Sequence, residues 1–198
     1  MRYNGSIMQS GDTTFRTIWE NVREWVSVIF IALLIALPVR YFIAEPFIVD
    51  GASMDPTFAT GQFLIVDRLT YRFEKPTRGD VVIFKYPNNP SIYYIKRIIG
   101  LPNEKVQIND GRIFVTSSGP AATTTELVED YLDPIHASHD TLSTNLGPNE
   151  YFVMGDNRNQ SSDSRVWGNL DKRFIVGRPI LRLLPITTLS ILPGKFNE

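Results

Sequence analysis

The 198-residue chain contains no cysteine, and its charges are almost balanced. The absence of cysteine excludes disulfides, thiolate metal sites and a cysteine nucleophile. Lysine and arginine number 20 and aspartate and glutamate 21, for a formal net charge of −1. Because the two signs are interspersed along the chain, the sequence offers no basic patch of the kind that binds nucleic acid, and we predict no nucleic-acid partner.

Histidine is scarce as well. Both histidines, His136 and His139, lie beside Pro134 and Asp140 in a stretch without regular patterning. Two histidines can ligate a metal, but their place in an irregular segment without cysteine favours solvated side chains. The same placement argues against a rigid catalytic triad. We therefore expect no metal and no cofactor.

One long apolar run is present, over residues 25–44, and it has about the 20 residues that a helix needs to cross a bilayer. We predict a single transmembrane helix over 25–44 after a polar tail over 1–24. A cleaved signal peptide is the alternative interpretation. The unusual length of the polar tail, and a large residue, Phe42, where a cleavage site needs a small one, favour a retained anchor.

The distribution of arginine around this run predicts the topology. Arg2, Arg16 and Arg23 precede the run, whereas only Arg40 lies near its far end. Positively charged flanks stay in the cytoplasm, so the N-terminus is expected there. Residues 45–198 would then face outward from a bacterial plasma membrane, or across a thylakoid membrane in a photosynthetic organism.

After residue 44 the pattern changes to short β-branched and aromatic segments separated by turn residues, which predicts an all-β domain of antiparallel sheets. Asp110-Gly111 predicts a tight hairpin between two of these segments. Residues 117–148 are rich in Thr, Ser, Asp and Pro and predict a long surface loop inserted in the domain. The predicted strands are 47–49, 62–69, 80–86, 92–100, 105–109, 112–116, 151–154 and 174–184.

Ser53 stands shortly after the apolar run, within the turn-forming sequence Gly51-Ala52-Ser53-Met54-Asp55-Pro56. A lone serine in a turn is usually structural. Its hydroxyl is a weak nucleophile at neutral pH, so a catalytic role requires a partner that takes its proton. That partner would be a histidine, a carboxylate or an uncharged lysine.

Lys96 is the candidate partner. It is followed by Arg97 in the apolar segment 92–99, and the alternation of a strand places these two cations on opposite faces. A guanidinium stays protonated in proteins, whereas burial lowers the pKa of a lysine until it can accept a proton. The strand pattern alone, however, favours an edge-strand lysine that prevents aggregation.

A third polar segment, 155–165, follows an apolar strand. Together with the two stretches above it resembles the bacterial type I signal peptidases, membrane-bound serine proteases that remove signal peptides from exported proteins. Each motif alone is weak, but four motifs in the family's order after one apolar span are specific. They are Ser53-Met54-Asp55-Pro56-Thr57, Arg78-Gly79-Asp80-Val81-Val82, Tyr94-Ile95-Lys96-Arg97-Ile98-Ile99-Gly100-Leu101-Pro102, and Gly155-Asp156-Asn157-Arg158 through Asp163-Ser164-Arg165.

The resemblance implies that Ser53 is the nucleophile and Lys96 its general base. It implies that Ser161 hydrogen-bonds Lys96 and orients the amine. It also implies that Asp163 and Arg165 form an ion pair that supports the site, and that Asp156 and Arg158 support the same loop. Small apolar pockets that select alanine-like residues would be lined by Phe47, Val49, Tyr94 and Ile95.

One position departs from the family's pattern. Some members carry a serine two positions before the nucleophile, whose hydroxyl helps to stabilise the oxyanion, and this chain has Gly51 there. The backbone N–H of Ser53 is the expected donor, and the second donor stays open. The partners that the resemblance implies are signal peptides of exported preproteins and the lipid bilayer, and we expect a monomer.

Two other functions are compatible with part of this pattern. A self-cleaving repressor uses the same Ser/Lys chemistry, but it would carry a DNA-binding helix-turn-helix in place of the apolar run. A membrane-anchored β domain that binds exported proteins without cleaving them would fit Gly51. The presence of both Ser53 and Lys96 favours the enzyme.

Overall fold

The computed structural model describes residues 11–38 and 44–194, with side chains from residue 21 onward. The chain divides into two compact units, Met1–Phe42 and Ile43–Glu198. The described part of the first unit is one helix, and the second unit contains all the strands.

Helix α1 (Gly11–Pro38) contains an apolar portion, Asn21–Pro38, that is long enough to cross a membrane and has a mean hydropathy of 1.6. None of that portion is buried within the structure. The described helix extends into the predicted polar tail, and its last described residue is Pro38. Ala44, predicted to end the span, is instead the first residue of a strand. The intervening residues, among them Arg40 and Phe42, lie outside the described residues, as does Arg2.

The described part of the second unit consists of strands connected by turns and short helices. The helices are α2 (Thr70–Phe73) and α3 (Ser164–Trp167), with 3₁₀ turns at Pro134–His136, Arg158–Gln160, Lys172–Phe174 and Ile186–Thr188. The strands are β1 (Ala44–Ile48), β2 (Phe63–Asp67), β3 (Val81–Tyr86), β4 (Asn89–Gly100), β5 (Lys105–Asn109), β6 (Arg112–Thr116), β7 (Thr124–Glu126), β8 (Leu142–Asn145), β9 (Glu150–Met154), β10 (Leu170–Asp171), β11 (Ile175–Leu184) and β12 (Ser190–Ile191).

The strands form two antiparallel sheets. The larger has the order β1-β2-β11-β3-β4-β9-β10, with β12 paired to β11, and the smaller has the order β7-β6-β5-β8. This arrangement confirms the predicted fold class of an all-β domain preceded by an apolar helix. β1 lies at a sheet edge, where Pro46 is tolerated because its missing N–H removes no hydrogen bond between two neighbouring strands.

Three apolar cores hold the domain together. One joins the two sheets and contains buried side chains of β4, β5, β6 and β9. A second lies on the larger sheet around Phe84, Ile98 and Val153. The third, which is small, consists of Val49, Met54, Phe58, Leu64 and Val81. This third core lies beside Ser53 in the chain and positions its turn.

The predicted hairpin is confirmed. Asp110 and Gly111 have φ angles of +50° and +79°, and they connect β5 to β6 with Asn109 opposite Arg112. Two consecutive positive φ angles suit the right-handed twist of the paired strands, and glycine adopts this conformation without strain.

The prediction of one irregular loop over 117–148 is wrong in part. The segment contains β7, paired with β6, and β8, paired with β5, which complete the smaller sheet. All three side chains of β7 are exposed, and β8 contributes a single apolar residue, Leu142. Short edge strands of this composition have no hydrophobic alternation, so sequence periodicity does not detect them.

Candidate active site

Ser53 lies in the turn that follows β1. Val49 and Met54, on either side of it in the chain, are buried in the small core with Phe58. The Phe58 N–H donates to the Met54 carbonyl at 2.9 Å, which closes the turn after the serine. The buried neighbours therefore fix the backbone, while the Ser53 side chain stays partly exposed.

Lys96 meets Ser53 across the sheet. Its Nζ lies 2.7 Å from Ser53 Oγ and donates a second hydrogen bond to the Ile95 carbonyl at 2.9 Å. Lys96 is only 3% exposed, and its strand β4 lies between β3 and β9. The alternative of a solvent-exposed lysine that protects a sheet edge is therefore wrong.

The protonation of Lys96 is shifted by its surroundings. The pKa of Lys96 is lowered from 10.5 to about 8, mainly by burial, and the nearby charge of Arg165 acts in the same direction. The carboxylates of Asp163 and Asp156 act in the opposite direction. Desolvation disfavours the charged ammonium, so about a tenth of Lys96 is neutral at about pH 7 and able to accept a proton.

Arg97 points to the other face of β4, as the strand alternation predicts, and is 1% exposed. Its Nε and Nη2 donate to the two carboxylate oxygens of Asp156 at 2.9 and 2.6 Å. Its Nη1 donates to the carbonyls of Gly79 and Gly194. Asp156 also accepts the hydroxyl proton of Thr57 at 2.6 Å, so one buried ion pair joins β4, the Ser53 turn and the 155–165 loop.

The 155–165 loop also contacts the backbone of Ser53. The Asn157 N–H donates to the Ser53 carbonyl at 3.1 Å. A Cβ at Gly155 would lie 2.3 Å from that carbonyl oxygen and 2.3 Å from Ser161 Oγ, closer than real Cβ atoms approach. Glycine at 155 therefore permits the loop to pack directly against Ser53.

Asp163 and Arg165 form the ion pair that the resemblance implies. Arg165 Nη2 lies 2.7 Å from Asp163 Oδ2, and Asp163 is fully buried. Asp163 also accepts from the Gly155 N–H at 3.1 Å, and Arg165 donates to the Arg158 carbonyl at 2.7 Å. These bonds connect the beginning, middle and end of the loop, which stabilises its conformation.

Asp156 and Arg158 support the loop through different partners. Asp156 pairs with Arg97, whereas both terminal nitrogens of Arg158 donate to the carboxylate of Glu129. Arg158 Nε donates to the Gly155 carbonyl at 3.1 Å. Glu129 belongs to the stretch predicted as a loop, so its role in the site was missed.

The predicted hydrogen bond between Ser161 and Lys96 is wrong for this structure. Lys96 donates to Ser53 and Ile95 instead. Ser161 Oγ is buried beside Gly155, and it has no hydrogen-bond partner among the described residues. Ser161 thus lies next to the Ser53 turn and makes no hydrogen bond with the Lys96 amine in this structure.

A cleft of about 290 Å³ opens at Ser53 and Lys96. All four residues predicted to form apolar pockets line it, Phe47 and Val49 from the β1 side and Tyr94 and Ile95 from β4. The rings of Phe47 and Tyr93 meet edge to face with centroids 5.2 Å apart. The cleft therefore brings an apolar wall to the serine–lysine pair.

Gly51 lies in the same cleft with a φ of +103°, a conformation that residues with a side chain rarely adopt. Its N–H donates to Thr60 Oγ1 at 3.1 Å. A serine here would be strained, which gives a conformational reason for glycine at this position. The N–H of Ser53 has no acceptor among the described residues, as an oxyanion donor requires.

The two histidines lie away from this cleft. His139 is exposed and its Nδ1 lies 2.7 Å from Asp110 Oδ1, while His136 belongs to a 3₁₀ turn. Within residues 11–38 and 44–194, no cluster of three or more His, Asp or Glu side chains is arranged to hold a metal ion. The geometry of the cleft points to chemistry carried by Ser53 and Lys96.

Several residues of this site were not identified from the sequence. The pairing of Arg97 with Asp156 was missed. Arg97 was assigned to the face opposite Lys96, and the need of a buried guanidinium for a counter-ion was the available signal for this pairing. Neither motif nor periodicity marked the other supporting residues, because each acts through a contact distant in sequence. They are Glu129, Tyr131 and Asp140. Thr57 belongs to the Ser53 motif, but its bond to Asp156 was not predicted.

Comparison with known proteins places the same segments in one family. The family model described as signal peptidase, peptidase S26, matches residues 22–184. A probable signal peptidase I-1 from Synechocystis sp. is 33% identical over 187 residues, covering 90% of both chains. A signal peptidase I from Bacillus licheniformis is 36% identical over 164 residues, covering 78% of this chain and 84% of the relative.

A solved structure shows a partial likeness. The crystal structure of a signal peptidase I from Enterococcus faecalis matches with a TM-score of 0.44 and 27% sequence identity. The match covers 53% of this chain and 97% of that one.

Proposed function

This chain belongs to the signal peptidase family, peptidase S26, whose members are serine endopeptidases, and on that premise we propose that Ser53 is its nucleophile and Lys96 its general base. The observation that supports this pair is the 2.7 Å separation of Lys96 Nζ and Ser53 Oγ in a cleft open to a peptide. Removal of signal peptides is the activity of the family.

The reaction begins with the neutral form of Lys96, whose lone pair takes the Ser53 proton. Ser53 Oγ attacks the scissile carbonyl carbon, and the Ser53 N–H donates to the oxygen that becomes negative. The C–N bond then breaks, the Lys96 ammonium returns its proton to the leaving amine, and an acyl-enzyme forms. Lys96 next takes a proton from a water whose oxygen attacks the ester carbonyl carbon. The ester C–O bond then breaks, and the Lys96 ammonium returns the proton to Ser53 Oγ, which restores the free enzyme.

The substrate preference follows from the cleft wall. Phe47, Val49, Tyr94 and Ile95 line the cleft beside Ser53 with apolar side chains. An apolar lining disfavours a charged side chain there, and the family resemblance implies a preference for small, alanine-like residues. We infer that the enzyme cleaves after small residues of exported preproteins.

The apolar helix supports a membrane anchor. Asn21–Pro38 has the length and composition of a bilayer span, and arginines precede it in the sequence. We propose one span, with the N-terminus in the cytoplasm and the β domain on the outer side of a bacterial plasma membrane or thylakoid membrane. Because the catalytic pair and its cleft come from one chain, we expect the monomer to be active.

The test uses the full chain in detergent with a purified preprotein. Ser53→Ala and Lys96→Ala should each abolish cleavage, while circular dichroism and thermal unfolding show a folded protein. Lys85→Ala on β3 and Ser91→Ala on β4 are matched controls. Both side chains are exposed, so these substitutions should leave the rate unchanged. Cleavage retained by Ser53→Ala or Lys96→Ala overturns the assignment of the pair. Binding of the preprotein by the wild-type chain without any cleavage would also overturn it.

A further inference from the structure

Glu129 and Tyr131 contact the two buried arginines that support the catalytic pair. Arg158 Nη1 donates to Glu129 Oε2 at 3.0 Å, and its Nη2 donates to the other carboxylate oxygen. The side chains of Arg158 and Glu129 are 1% and 11% exposed. A carboxylate that engages a guanidinium with both oxygens fixes its orientation as well as neutralising its charge.

Tyr131 bridges Glu129 to the second arginine. Its hydroxyl donates to the Glu129 carboxylate, and its ring centroid lies 4.1 Å from Arg97 Cζ. Burial, together with the charge of Glu129, raises the pKa of Tyr131, so the hydroxyl remains a donor. An aromatic face at this distance attracts a guanidinium and restricts its plane.

Both arginines lead directly to the reacting residues. Arg97 follows Lys96 in β4 and holds Asp156, which accepts the Thr57 hydroxyl at the end of the Ser53 turn. Arg158 Nε holds the Gly155 carbonyl, and Gly155 packs against the Ser53 carbonyl. The route from Glu129 ends at the Ser53 carbonyl, and the route from Tyr131 ends at Thr57 in the Ser53 turn and at Arg97, the chain neighbour of Lys96.

The surrounding segment adds little to the apolar core. Within 127–131, Leu127 packs against the core between the sheets, whereas Val128 is 81% exposed and Asp130 is exposed. Glu129 and Tyr131 are thus the residues of this segment whose polar contacts reach the 155–165 loop. Their position suits a role in geometry more than in hydrophobic stability.

We propose that Glu129 and Tyr131 are positioning residues of this protease, which act through Arg158 and Arg97 to hold the Ser53 turn and Lys96 in reacting geometry. The inference rests on the proposed function of Ser53 and Lys96. It concerns the rate of the chemical steps, because neither residue lines the cleft in which a peptide would bind.

The first experiment compares two substitutions that each remove a negative charge, at adjacent positions in the chain. For the full chain in detergent, Glu129→Gln should lower kcat for a preprotein by about tenfold and leave KM within about twofold, since misplaced reacting groups slow chemistry without weakening binding. Asp130→Asn makes the same change of charge on an exposed neighbour and should alter neither constant. Equal kcat values for the two variants overturn the proposal.

A double-mutant cycle tests the route through Arg158. If Glu129 acts through that guanidinium, Glu129→Gln should have no further effect on kcat in an Arg158→Gln background. Independent effects that multiply would overturn the route. Rates are measured well below the thermal unfolding midpoint of each variant, and a loss of kcat that follows the unfolded fraction also counts against positioning.

Tyr131 supplies a test that does not leave a buried charge unpaired. Tyr131→Phe keeps the ring over Arg97 and should retain kcat within about threefold, whereas Tyr131→Leu removes the ring and should lower kcat about tenfold. Identical rates for the two variants would overturn the role of the ring. Ser53→Ala, assayed alongside, separates a failure of the proposed function from a failure of the positioning role. If Ser53→Ala still cleaves, the proposed function fails. If it is inactive while all Glu129 and Tyr131 variants cleave normally, only the positioning role fails.

Discussion

Lys96 Nζ donates one hydrogen bond to Ser53 Oγ at 2.7 Å and a second to the carbonyl of Ile95, the preceding residue in its own strand, at 2.9 Å. The bond to Ile95 ties the amine to β4, while the bond to Ser53 aims it at the nucleophile. The amine therefore needs no conformational change to act as a base, only the loss of one proton.

That proton determines the pH dependence. Because burial lowers the pKa of Lys96 to about 8, the neutral fraction, and with it kcat/KM, should rise about tenfold per pH unit below that value and level off above it. The measurement is kcat/KM for a preprotein across about pH 5 to 10 at constant ionic strength. A rate that is flat from about pH 5 to 9 would exclude Lys96 as the base.

The same shift predicts a stability effect with a defined sign. Between about pH 8 and 10.5 the unfolded chain keeps the Lys96 proton that the folded chain has lost, so the free energy of unfolding should increase with pH by up to about 3 kcal/mol from this group. Below about pH 8 both states hold the proton and this contribution is absent. Lys96→Met keeps the volume and removes the titration.

Denaturant unfolding of wild type and Lys96→Met at several pH values isolates this effect, since all other titrating groups are common to both proteins. The difference between the two free energies should change across the alkaline window and be constant below it. A constant difference throughout would contradict a depressed pKa for Lys96.

Removing the carboxylate of Asp156 should be strongly destabilising. Asp156→Asn leaves the guanidinium of Arg97 buried without its charge partner, which typically costs about 3 to 5 kcal/mol. Arg112 and Glu126 offer a matched comparison, because they form a pair of the same geometry on the surface. Glu126→Gln should barely change the thermal midpoint, and a similar small change for Asp156→Asn would show that the buried pair is not structural.

Gly155→Ala should reduce activity because its Cβ would collide with the Ser53 carbonyl and with Ser161. The loop must move away from the nucleophile, and we expect kcat to fall by about a hundredfold or more, since small displacements of reacting groups have effects of that size. Gly147→Ala is the control, because its Cβ would meet only the flexible side chain of Glu150. Wild-type kcat in the Gly155 variant would show that this contact does not matter for catalysis.

Local signals in the sequence raised Ser53 and Lys96 as candidates, and the resemblance of their motifs to the signal peptidases implied that they are a catalytic pair. Ser53 lies in a turn motif after an apolar run, and Lys96 is a charge within an apolar strand. The antiparallel hairpin at Asp110-Gly111 was predictable for a similar reason, since two adjacent residues determine its backbone angles.

The supporting contacts could not be predicted in the same way. Arg97 and Asp156 are 59 positions apart, and Arg158 and Glu129 are 29 apart, so only the folded sheets bring them together. The predicted hydrogen bond between Ser161 and Lys96 was wrong for this structure. A motif does not contain the distances that determine which of several nearby acceptors an amine bonds. Glu129 and Tyr131 were hidden in a segment whose exposed neighbours suggested a loop.

The alternation of Lys96 and Arg97 along β4 has one more consequence. If β4 paired with its neighbours one residue out of register, every side chain would exchange faces, and a guanidinium that cannot give up its proton would stand where the amine stands now. The pairing of β4 with β9 begins at Arg97 itself. On the proposed mechanism, a chain with β4 out of register would lack its general base, and cleavage would begin only when the sheet has closed in its native alignment.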